Sequence, residues 1–373
     1  MNPYDPGIPV PPERFAGRRR LIDRTQDLLE KARQERSNSS LLLHGHRGSG
    51  KTSALRKVQA LALEKDPRTV HVEVPLRQRH GEAALLSDIA DELQRFGEAR
   101  KSTGSFFQRL HSRLSSVSVS VLGTGVAVAK STPGRTLNPL SLWKATMTAA
   151  AEAPLVVISI DDAELLDDPG IGTLKTIAES NLEVPVLLVV AGGPELWARL
   201  SLRGGSPVAR IFSGSTFDMS DFTREETEEA LAAPLRSRGP RTSWDPAAVQ
   251  RVQDLSHGYP YLVQCLACAA YHEGTISRED VEAGIEGAVE MAGPWLQHEL
   301  ERASDEDIRA FVRIADSRRS ALRTTEILQL GVLPPYVPRL VRLGVLEQVA
   351  RGHYVLKKAP VIAYYHALRR NLT

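Results

Sequence analysis

Residues 45–52 carry the pattern that most restricts the fold of this chain: Gly45-His46-Arg47-Gly48-Ser49-Gly50-Lys51-Thr52. It follows the apolar run Leu41-Leu42-Leu43 and precedes a helical pattern that starts at Ser53. Glycines between a strand and a helix let the backbone approach an anion closely, and the N–H groups at the helix start supply positive potential. The spacing G-x-x-x-x-G-K-T therefore predicts a phosphate-binding loop in an α/β fold.

Two side chains of this loop have predicted roles in binding a nucleotide. Lys51 is expected to reach the β- and γ-phosphates, and the Thr52 hydroxyl is expected to bind Mg²⁺. The remaining loop residues and Ser53 are expected to surround the phosphates with backbone N–H groups. The cofactors implied by the loop are ATP and Mg²⁺.

The composition is that of a globular protein with two or three domains, since 42% of the 373 residues are apolar and 25% are charged. No apolar run reaches the roughly 20 residues of a membrane span, and the N-terminus lacks a secretion signal, so a cytoplasmic protein without a membrane partner is expected. Cys265 and Cys268 are the two cysteines. With no second pair to complete a metal site, they are interpreted as buried thiols.

Charge is unevenly distributed along the chain. The net charge is +2, but residues 301–373 contain 13 Lys and Arg against 7 Asp and Glu. A basic C-terminal segment on a nearly neutral protein predicts an anionic partner for that segment.

The order of predicted elements divides the chain into four parts. Residues 1–20 are rich in proline and predict an extended arm. Strands alternate with helices over 21–221, which indicates a parallel sheet. Residues 222–298 predict a helical lid without strands, and 299–373 predict three helices and a β-hairpin, the order of a winged helix. Within the second part, the Ser/Val alternation of residues 116–129 predicts an inserted hairpin.

The apolar run from Leu155 to Ile160 ends in Asp161-Asp162. A run of this kind predicts a central strand whose carboxyl end faces the nucleotide. Asp161 is the predicted Mg²⁺ ligand, and Asp162 is predicted to orient or deprotonate the attacking water.

These motifs, together with Phe15-Ala16-Gly17-Arg18, resemble those of AAA+ ATPases, in particular the origin-recognition-like and STAND branches. The resemblance implies that Phe15, Gly17 and Arg18 lie near the adenine. It also implies that Gly258-Tyr259-Pro260 is the lid element of such ATPases. Gly192-Gly193-Pro194-Glu195-Leu196 resembles a strand-end motif of bacterial ATPases that act in transposition or secretion.

Several positions differ from the pattern of active AAA+ enzymes. Asp162 stands where glutamate is frequent, Gly192-Gly193 stands where a polar sensor is usual, and the lid element lacks an arginine. Tight nucleotide binding and slow hydrolysis are therefore expected. Arg210 resembles the position of the arginine finger that a neighbouring subunit supplies, with Arg199 and Arg203 as alternatives.

The winged-helix pattern predicts duplex DNA as the anionic partner. Arg339 and Arg342 would lie on the third helix, and Arg351, Lys357 and Lys358 on the wing and its exit. Two functions stay open at this point. One is an ATPase that couples its nucleotide state to DNA binding and to assembly into a homo-oligomer. The other is a nucleotide-gated signalling or scaffold protein whose winged helix binds a protein, such as an effector or a defence component.

Overall fold

The computed structural model describes residues 2–126, 139–180, 183–202, 207–238 and 242–372. The chain divides into two compact units. The first, here called the sheet unit, comprises residues 11–13 and 18–219. The second, the helical unit, comprises residues 1–10, 14–17 and 220–373.

The sheet unit is built from alternating helices and strands. In chain order they are α1 (Arg19–Glu35), β1 (Ser39–His44), α2 (Lys51–Lys65), β2 (Val70–Pro75), α3 (Glu82–Arg100), α4 (Ser105–Val126), α5 (Pro139–Ala149), β3 (Val156–Asp161), α6 (Asp168–Glu179), β4 (Val186–Gly192), α7 (Pro194–Leu202), α8 (Pro207–Ile211) and β5 (Thr216–Asp218). The strands form one sheet in the order β2-β3-β4-β1-β5. Every adjacent pair is parallel, which confirms the predicted α/β fold.

Strands β3 and β4 are buried along their whole length. Because both faces of a central parallel strand are covered by helices, its sequence is almost continuously apolar. The register pairs Ser39 of β1 with Leu187 of β4, and Val156 of β3 with Val186 of β4. The three strands therefore end at one edge of the sheet, with their following loops side by side.

The hairpin predicted over residues 116–129 is wrong for the residues that the structure describes. Residues 116–126 continue helix α4, and residues 127–129 lie outside the described part of the chain. Phe107, Leu110 and Leu114 are buried in the apolar core, with Val117 packed against it. Their spacing of three and four residues is that of one helix face, and this longer pattern overrides the local Ser/Val alternation.

The helical unit begins with short elements and continues with helices around one core. Its elements are α9 (Arg224–Ala232), β6 (Thr242–Trp244), α10 (Pro246–Ser256), α11 (Pro260–Ala270), β7 (Gly274–Ile276), α12 (Arg278–Ala283), α13 (Ile285–Leu296), α14 (Asp305–Asp316), β8 (Ala321–Arg323), α15 (Thr324–Gln329), α16 (Tyr336–Arg342), β9 (Leu346–Ala350), β10 (His353–Leu356) and α17 (Pro360–Arg369). Strands β6 and β7 pair in parallel, where the sequence predicted helices without strands. Strands of three residues are too short to show an alternating pattern.

The last part of the helical unit contains a second small sheet. Strands β8, β10 and β9 lie side by side in that order, and both pairings are antiparallel. The predicted hairpin over residues 346–356 is present as β9 and β10. One hydrophobic cluster runs from Leu231 to Ala367, so the residues predicted as lid and winged helix share a core within this unit.

The N-terminal residues are anchored in the helical unit. Tyr4 is 2% exposed, and its hydroxyl donates to the Leu231 carbonyl and accepts a hydrogen bond from Trp244 Nε1 at 2.8 Å. Within the predicted arm 1–20, residues 12–14 form a helical turn and α1 already begins at Arg19. Among the described residues, no helix is long and apolar enough to cross a membrane.

The two cysteines lie on helix α11. Burial raises the pKa of the Cys265 thiol to about 12, and partial burial also raises the pKa of Cys268. Protonated thiols are poor nucleophiles and poor metal ligands at neutral pH. The thiols therefore behave as small apolar groups of the core.

Candidate functional site

The predicted phosphate loop connects β1 to α2, as its sequence context requires. Gly50 has a φ of 91°, a left-handed conformation that favours glycine, and the helix starts at the next residue. At Gly45 a Cβ atom would lie 2.9 Å from both Met219 Cβ and Ser49 Oγ, so only glycine fits there. The Ser49 hydroxyl is buried and has no hydrogen-bond partner among the residues that the structure describes. A buried polar group within a tight loop is a feature that a phosphate oxygen would satisfy.

Lys51 lies across the opening of this loop. Its Nζ atom donates to the carbonyl oxygens of Gly45 and His46, each at 2.9 Å. Burial lowers the pKa of Lys51, whereas the charges of Glu164, Asp161 and Asp162 oppose this shift. The ammonium is thus held by weak carbonyl acceptors that a phosphate oxygen can replace.

The predicted magnesium ligands contact each other. Thr52 Oγ1 donates to Asp161 Oδ2 at 2.6 Å, although 109 residues separate them in the chain. Asp161 is 7% exposed, and its other oxygen accepts from the N–H of Asp162 at 3.0 Å. A hydroxyl and a carboxylate are the oxygen donors that Mg²⁺ prefers, so the residues present fit this ion.

Asp162 lies immediately after these ligands. Its φ of 52° is left-handed, a conformation that costs energy outside glycine. Partial burial raises the pKa of the Asp162 carboxyl, and the nearby charges of Asp161 and Glu164 raise it further. A carboxylate with a raised pKa accepts a proton more readily than an ordinary aspartate, as the role predicted for Asp162 requires.

Sequence reasoning missed Glu164, whose carboxylate lies at the same edge of the sheet. Its Oε2 atom accepts from the Gly193 N–H at 2.8 Å, directly after β4. Its charge, like those of Asp161 and Asp162, opposes the lowering of the Lys51 pKa by burial. A single glutamate three residues after Asp161 belongs to no motif, so the sequence offered no signal for it.

The three arginines considered as fingers differ in their surroundings. Arg199 is tied within the sheet unit, because it donates to the carbonyl of Leu166 at 2.6 Å and pairs with Asp168 at 3.0 Å. These contacts hold the Arg199 side chain against its own unit, and its role as an alternative finger stays untested. Arg203 lies outside the described residues. Arg210 is exposed on α8, and its side chain contacts no acceptor among the described residues, so it stays the predicted finger.

The residues predicted to cover the base are divided between the units. Arg18 belongs to the sheet unit, while Phe15, Gly17, Gly258 and Pro260 belong to the helical unit. Within the helical unit, the Gly17 N–H donates to Glu229 at 3.2 Å. A Cβ atom at Gly258 would lie 2.1 Å from the Phe222 carbonyl oxygen, so glycine is required there. The part of these residues in nucleotide binding stays a prediction.

Three of the five predicted DNA contacts are held by acidic partners. Arg339 donates through Nε and a terminal nitrogen to both oxygens of Asp307, at 2.8 and 2.6 Å. Lys357 pairs with Glu347 at 3.1 Å, and Lys358 pairs with Glu299. Because Arg339 makes a bidentate pair with a buried carboxylate, its place on α16 is explained by packing of this helix on α14.

The other two predicted DNA contacts are exposed to solvent and have no acidic partner among the described residues. Arg342, at the end of α16, and Arg351, in the turn between β9 and β10, are exposed and make no side-chain hydrogen bond or ion pair to a described residue. Arg323 of β8 pairs in register with His353 of β10, so a third arginine lies beside that turn. The DNA interface stays a prediction, in which Arg342 and Arg351 are the exposed members and Arg323 lies next to Arg351.

Comparison with known proteins agrees with the geometry of the phosphate loop. Residues 14–190 match the family described as the AAA ATPase domain. This part of the chain is similar to the AAA ATPase domain. The match includes the phosphate loop and Asp161-Asp162, so the similarity covers the part of the chain where Thr52 and Asp161 meet. No curated protein sequence matches the chain.

Solved structures extend the likeness in fold beyond residues 14–190. The ORC2 protein of Aeropyrum pernix, in its ADPNP–ADP complexes, is 14% identical with a TM-score of 0.54, over 100% of this chain and 98% of that one. Cdc6p from Pyrobaculum aerophilum is also 14% identical, with a TM-score of 0.50, over 99% of this chain and 96% of its own. At these identities the likeness is one of fold alone.

Proposed function

We propose that this protein is a switch ATPase of the AAA+ and STAND type that binds MgATP, hydrolyses it slowly and couples its nucleotide state to DNA binding. The contact between Thr52 and Asp161 carries the first part of the proposal, because it brings together, across 109 residues, two oxygen donors of the kind that Mg²⁺ prefers. The ORC2 structure that this chain resembles in fold was solved with ADPNP and ADP. This supports nucleotide as the ligand here.

The residues of the sheet unit have distinct tasks in this proposal. The N–H groups of residues 45–50 and the start of α2 bind the phosphates. Lys51 exchanges its carbonyl acceptors for phosphate oxygens, and Thr52 and Asp161 hold Mg²⁺, which supplies charge neutralisation when bound. Asp162 orients the attacking water and accepts its proton.

Slow hydrolysis is expected because two positions of the site differ from those of active AAA+ enzymes. Asp162 is one methylene shorter than the glutamate frequent at this position, and no polar side chain follows β4 at Gly192-Gly193. Arg210 is proposed to complete the site of a neighbouring copy, where it would stabilise charge on the transferring phosphoryl group. Hydrolysis would then depend on assembly of the protein.

The proposed finger predicts a turnover that depends on protein concentration. We expect the wild-type protein to hydrolyse less than about one ATP per second, with a rate per molecule that rises with concentration. Arg210→Ala should abolish this rise while leaving the Kd for ATP unchanged, as measured by phosphate release and calorimetry. Lys175→Ala, an equal charge change on α6, is the control. A wild-type turnover of many ATP per second would contradict slow hydrolysis, and an Arg210→Ala rate that still rises would exclude the finger.

The proposed DNA-binding element is a winged helix formed by the last part of the chain. Strand β8 lies between α14 and α15, and α16, β9 and β10 follow in that order. Three helices followed by a β-hairpin is the order of a winged helix. In such modules the third helix commonly enters the major groove and the wing contacts phosphates. Arg342 lies on that helix and Arg351 in the wing, with Arg323 beside it.

These arginines predict salt-sensitive binding to duplexes of unrelated sequence. We expect the double variant Arg342→Ala, Arg351→Ala to weaken binding about tenfold or more at low salt. It should also reduce the slope of log affinity against log salt by about two, because two phosphates would no longer be neutralised by an arginine. Fluorescence anisotropy with labelled duplexes measures both quantities. The double variant Lys31→Ala, Lys175→Ala has the same net charge and should bind like the wild type. No wild-type binding at low salt would refute the proposal.

A second candidate function is a protein-binding winged helix in a signalling protein. Two apolar side chains of this element favour it: Leu333 is 61% exposed and Val349 is 58% exposed. Large exposed apolar groups are more typical of protein interfaces than of phosphate contacts. The DNA experiment separates the two candidates, because a protein-binding element would bind no duplex at low salt.

A further inference from the structure

The helical unit contains a cavity of about 60 Å³ between the end of α10, the turn from α14 to β8, and the start of α17. A single water needs about 10–15 Å³ of such space, so the cavity has room for a group of about five non-hydrogen atoms. Its lining is mainly polar and is supplied by Arg251, Asp254, His257, Arg318, Arg319 and Ser320.

Two arginines of this lining share one carboxylate. Arg251 is 4% exposed and pairs with Glu282, whose oxygens lie 2.8 Å from Nε and 3.0 Å from a terminal nitrogen. Arg318 donates to the same carboxylate at 3.2 Å, and Arg278 approaches it to 3.8 Å. One negative charge thus faces three guanidinium groups, and like charges at a partly buried site repel. An added anion would relieve this repulsion.

The other charged groups of the lining leave it basic. Arg319 pairs with Glu326 at 2.9 Å, which uses one of the five N–H donors of its guanidinium. Burial lowers the pKa of the His257 imidazole, so this ring adds no charge at neutral pH. Asp254 is the acidic member of the described lining, and it accepts from Gln250 at 2.7 Å. Three positive charges therefore line the cavity against one negative charge.

Two residues of the lining have a strained backbone. His257 has a φ of 52° and Arg318 a φ of 58°, which are left-handed values that cost energy outside glycine. Both residues follow the end of a helix, where glycine or asparagine is usual. A glycine at either position would be less strained but would remove a side chain from the cavity. Strain of this kind is often retained at functional sites.

We propose that this cavity binds one phosphate ion, either free or as the head of a small phosphate monoester. Guanidinium groups form short, charge-assisted hydrogen bonds with phosphate oxygens, and the Ser320 hydroxyl can donate another. The bound anion would connect the end of α10 with residues 318–320, that is, the part predicted as lid with the part predicted as winged helix. The inference is independent of nucleotide binding by residues 45–52.

The first test is calorimetric titration of the Lys51→Ala chain with inorganic phosphate, because this variant lacks the lysine of the phosphate loop. We expect it to bind one phosphate per chain. Adding Arg318→Gln and Arg319→Gln should weaken binding at least about tenfold, since charge-assisted hydrogen bonds are lost. Adding Arg95→Gln and Arg309→Gln instead removes two arginines that pair with surface glutamates, and the affinity should not change.

Ser320 allows a second test at an exposed position of the lining. Ser320→Asp places a carboxylate beside the arginines and should abolish phosphate binding, whereas the uncharged Ser320→Asn, of equal size, should retain it. Thermal unfolding verifies that each variant is folded. Glycerol 3-phosphate distinguishes the two sources of the ligand: affinity equal to that of inorganic phosphate assigns the cavity to monoesters, and no binding assigns it to the free ion.

Three results would overturn the proposal. The first is a Lys51→Ala chain that binds no phosphate at low salt. The second is an equal phosphate affinity of Ser320→Asp and Ser320→Asn. The third is an unchanged affinity after removal of Arg318 and Arg319, which would mean that these arginines only offset the negative end of helix α14.

Discussion

Lys51→Ala is expected to weaken binding of MgATP and MgADP at least about a hundredfold. The Lys51 ammonium lies across the phosphate loop, held by two backbone carbonyls at 2.9 Å that charged phosphate oxygens outcompete. Because it is partly desolvated, its interaction with a phosphate is stronger than the same interaction in open water. Calorimetric titration of the full chain with each nucleotide measures the loss of affinity.

The matched control is Lys57→Ala, on the same helix α2 two turns further on. It changes the net charge equally but lies away from the loop, so its affinity for both nucleotides should equal that of the wild type. Equal affinities of Lys51→Ala and Lys57→Ala would exclude residues 45–52 as the phosphate site. An ATP-selective loss of affinity would limit Lys51 to the γ-phosphate alone.

The nucleotide site was predictable because its parts are local motifs that a general rule brings together. Residues 45–52 form a loop from consecutive residues, and the apolar run before Asp161 is what a strand buried on both faces requires. Parallel strands end at one edge of their sheet, and for this reason Thr52 and Asp161 were expected to meet. The 2.6 Å contact between Thr52 Oγ1 and Asp161 Oδ2 is consistent with that reasoning.

The features that sequence reasoning missed depend on contacts between distant residues. Residues 116–118 alternate as in a strand, but helix α4 continues through them, because Leu114 and Val117 lie on the helix face that packs in the core. Glu164 acquires its importance from Gly193, which lies 29 residues away in the chain. Arg339 had the helix position of a DNA contact, yet Asp307, 32 residues before it, binds its guanidinium. None of these pairings leaves a periodic or spaced pattern.

The pairing of Asp307 with Arg339 leads to the second large effect: Asp307→Ala is expected to reduce the free energy of unfolding by about 3 kcal/mol. Asp307 is 1% exposed, and besides Arg339 it accepts from the N–H and hydroxyl of Ser304 at 2.8 and 2.7 Å. These bonds close the capping box at the start of α14. The variant therefore removes a helix cap and charge-assisted hydrogen bonds at the same time. Urea unfolding followed by circular dichroism measures the difference.

Glu306→Ala is the control, because Glu306 precedes Asp307 on α14 but is exposed and, among the described residues, forms its ion pair with Arg309 at the surface. Such pairs contribute little, so this variant should stay within about 0.5 kcal/mol of the wild type. If Asp307→Ala lowers the free energy of unfolding no more than Glu306→Ala does, the ion pair does not hold α16 to α14. Arg339 would then return to the residues available for DNA.

The loss of unfolding free energy in Asp307→Ala should also depend on pH, in a direction that the surroundings of Asp307 determine. Burial raises the pKa of the Asp307 carboxyl, but the bonds from Arg339 and Ser304 outweigh it and lower the pKa below its ordinary value of 3.8. A carboxyl whose pKa is lower in the folded chain stabilises the fold above its unfolded pKa and loses that contribution as the pH falls through the folded one. The difference between wild type and Asp307→Ala should therefore be largest near neutral pH and shrink below about pH 4. A difference that grows on acidification would mean that Asp307 is protonated in the folded protein, and Arg339 would then lack its charged partner.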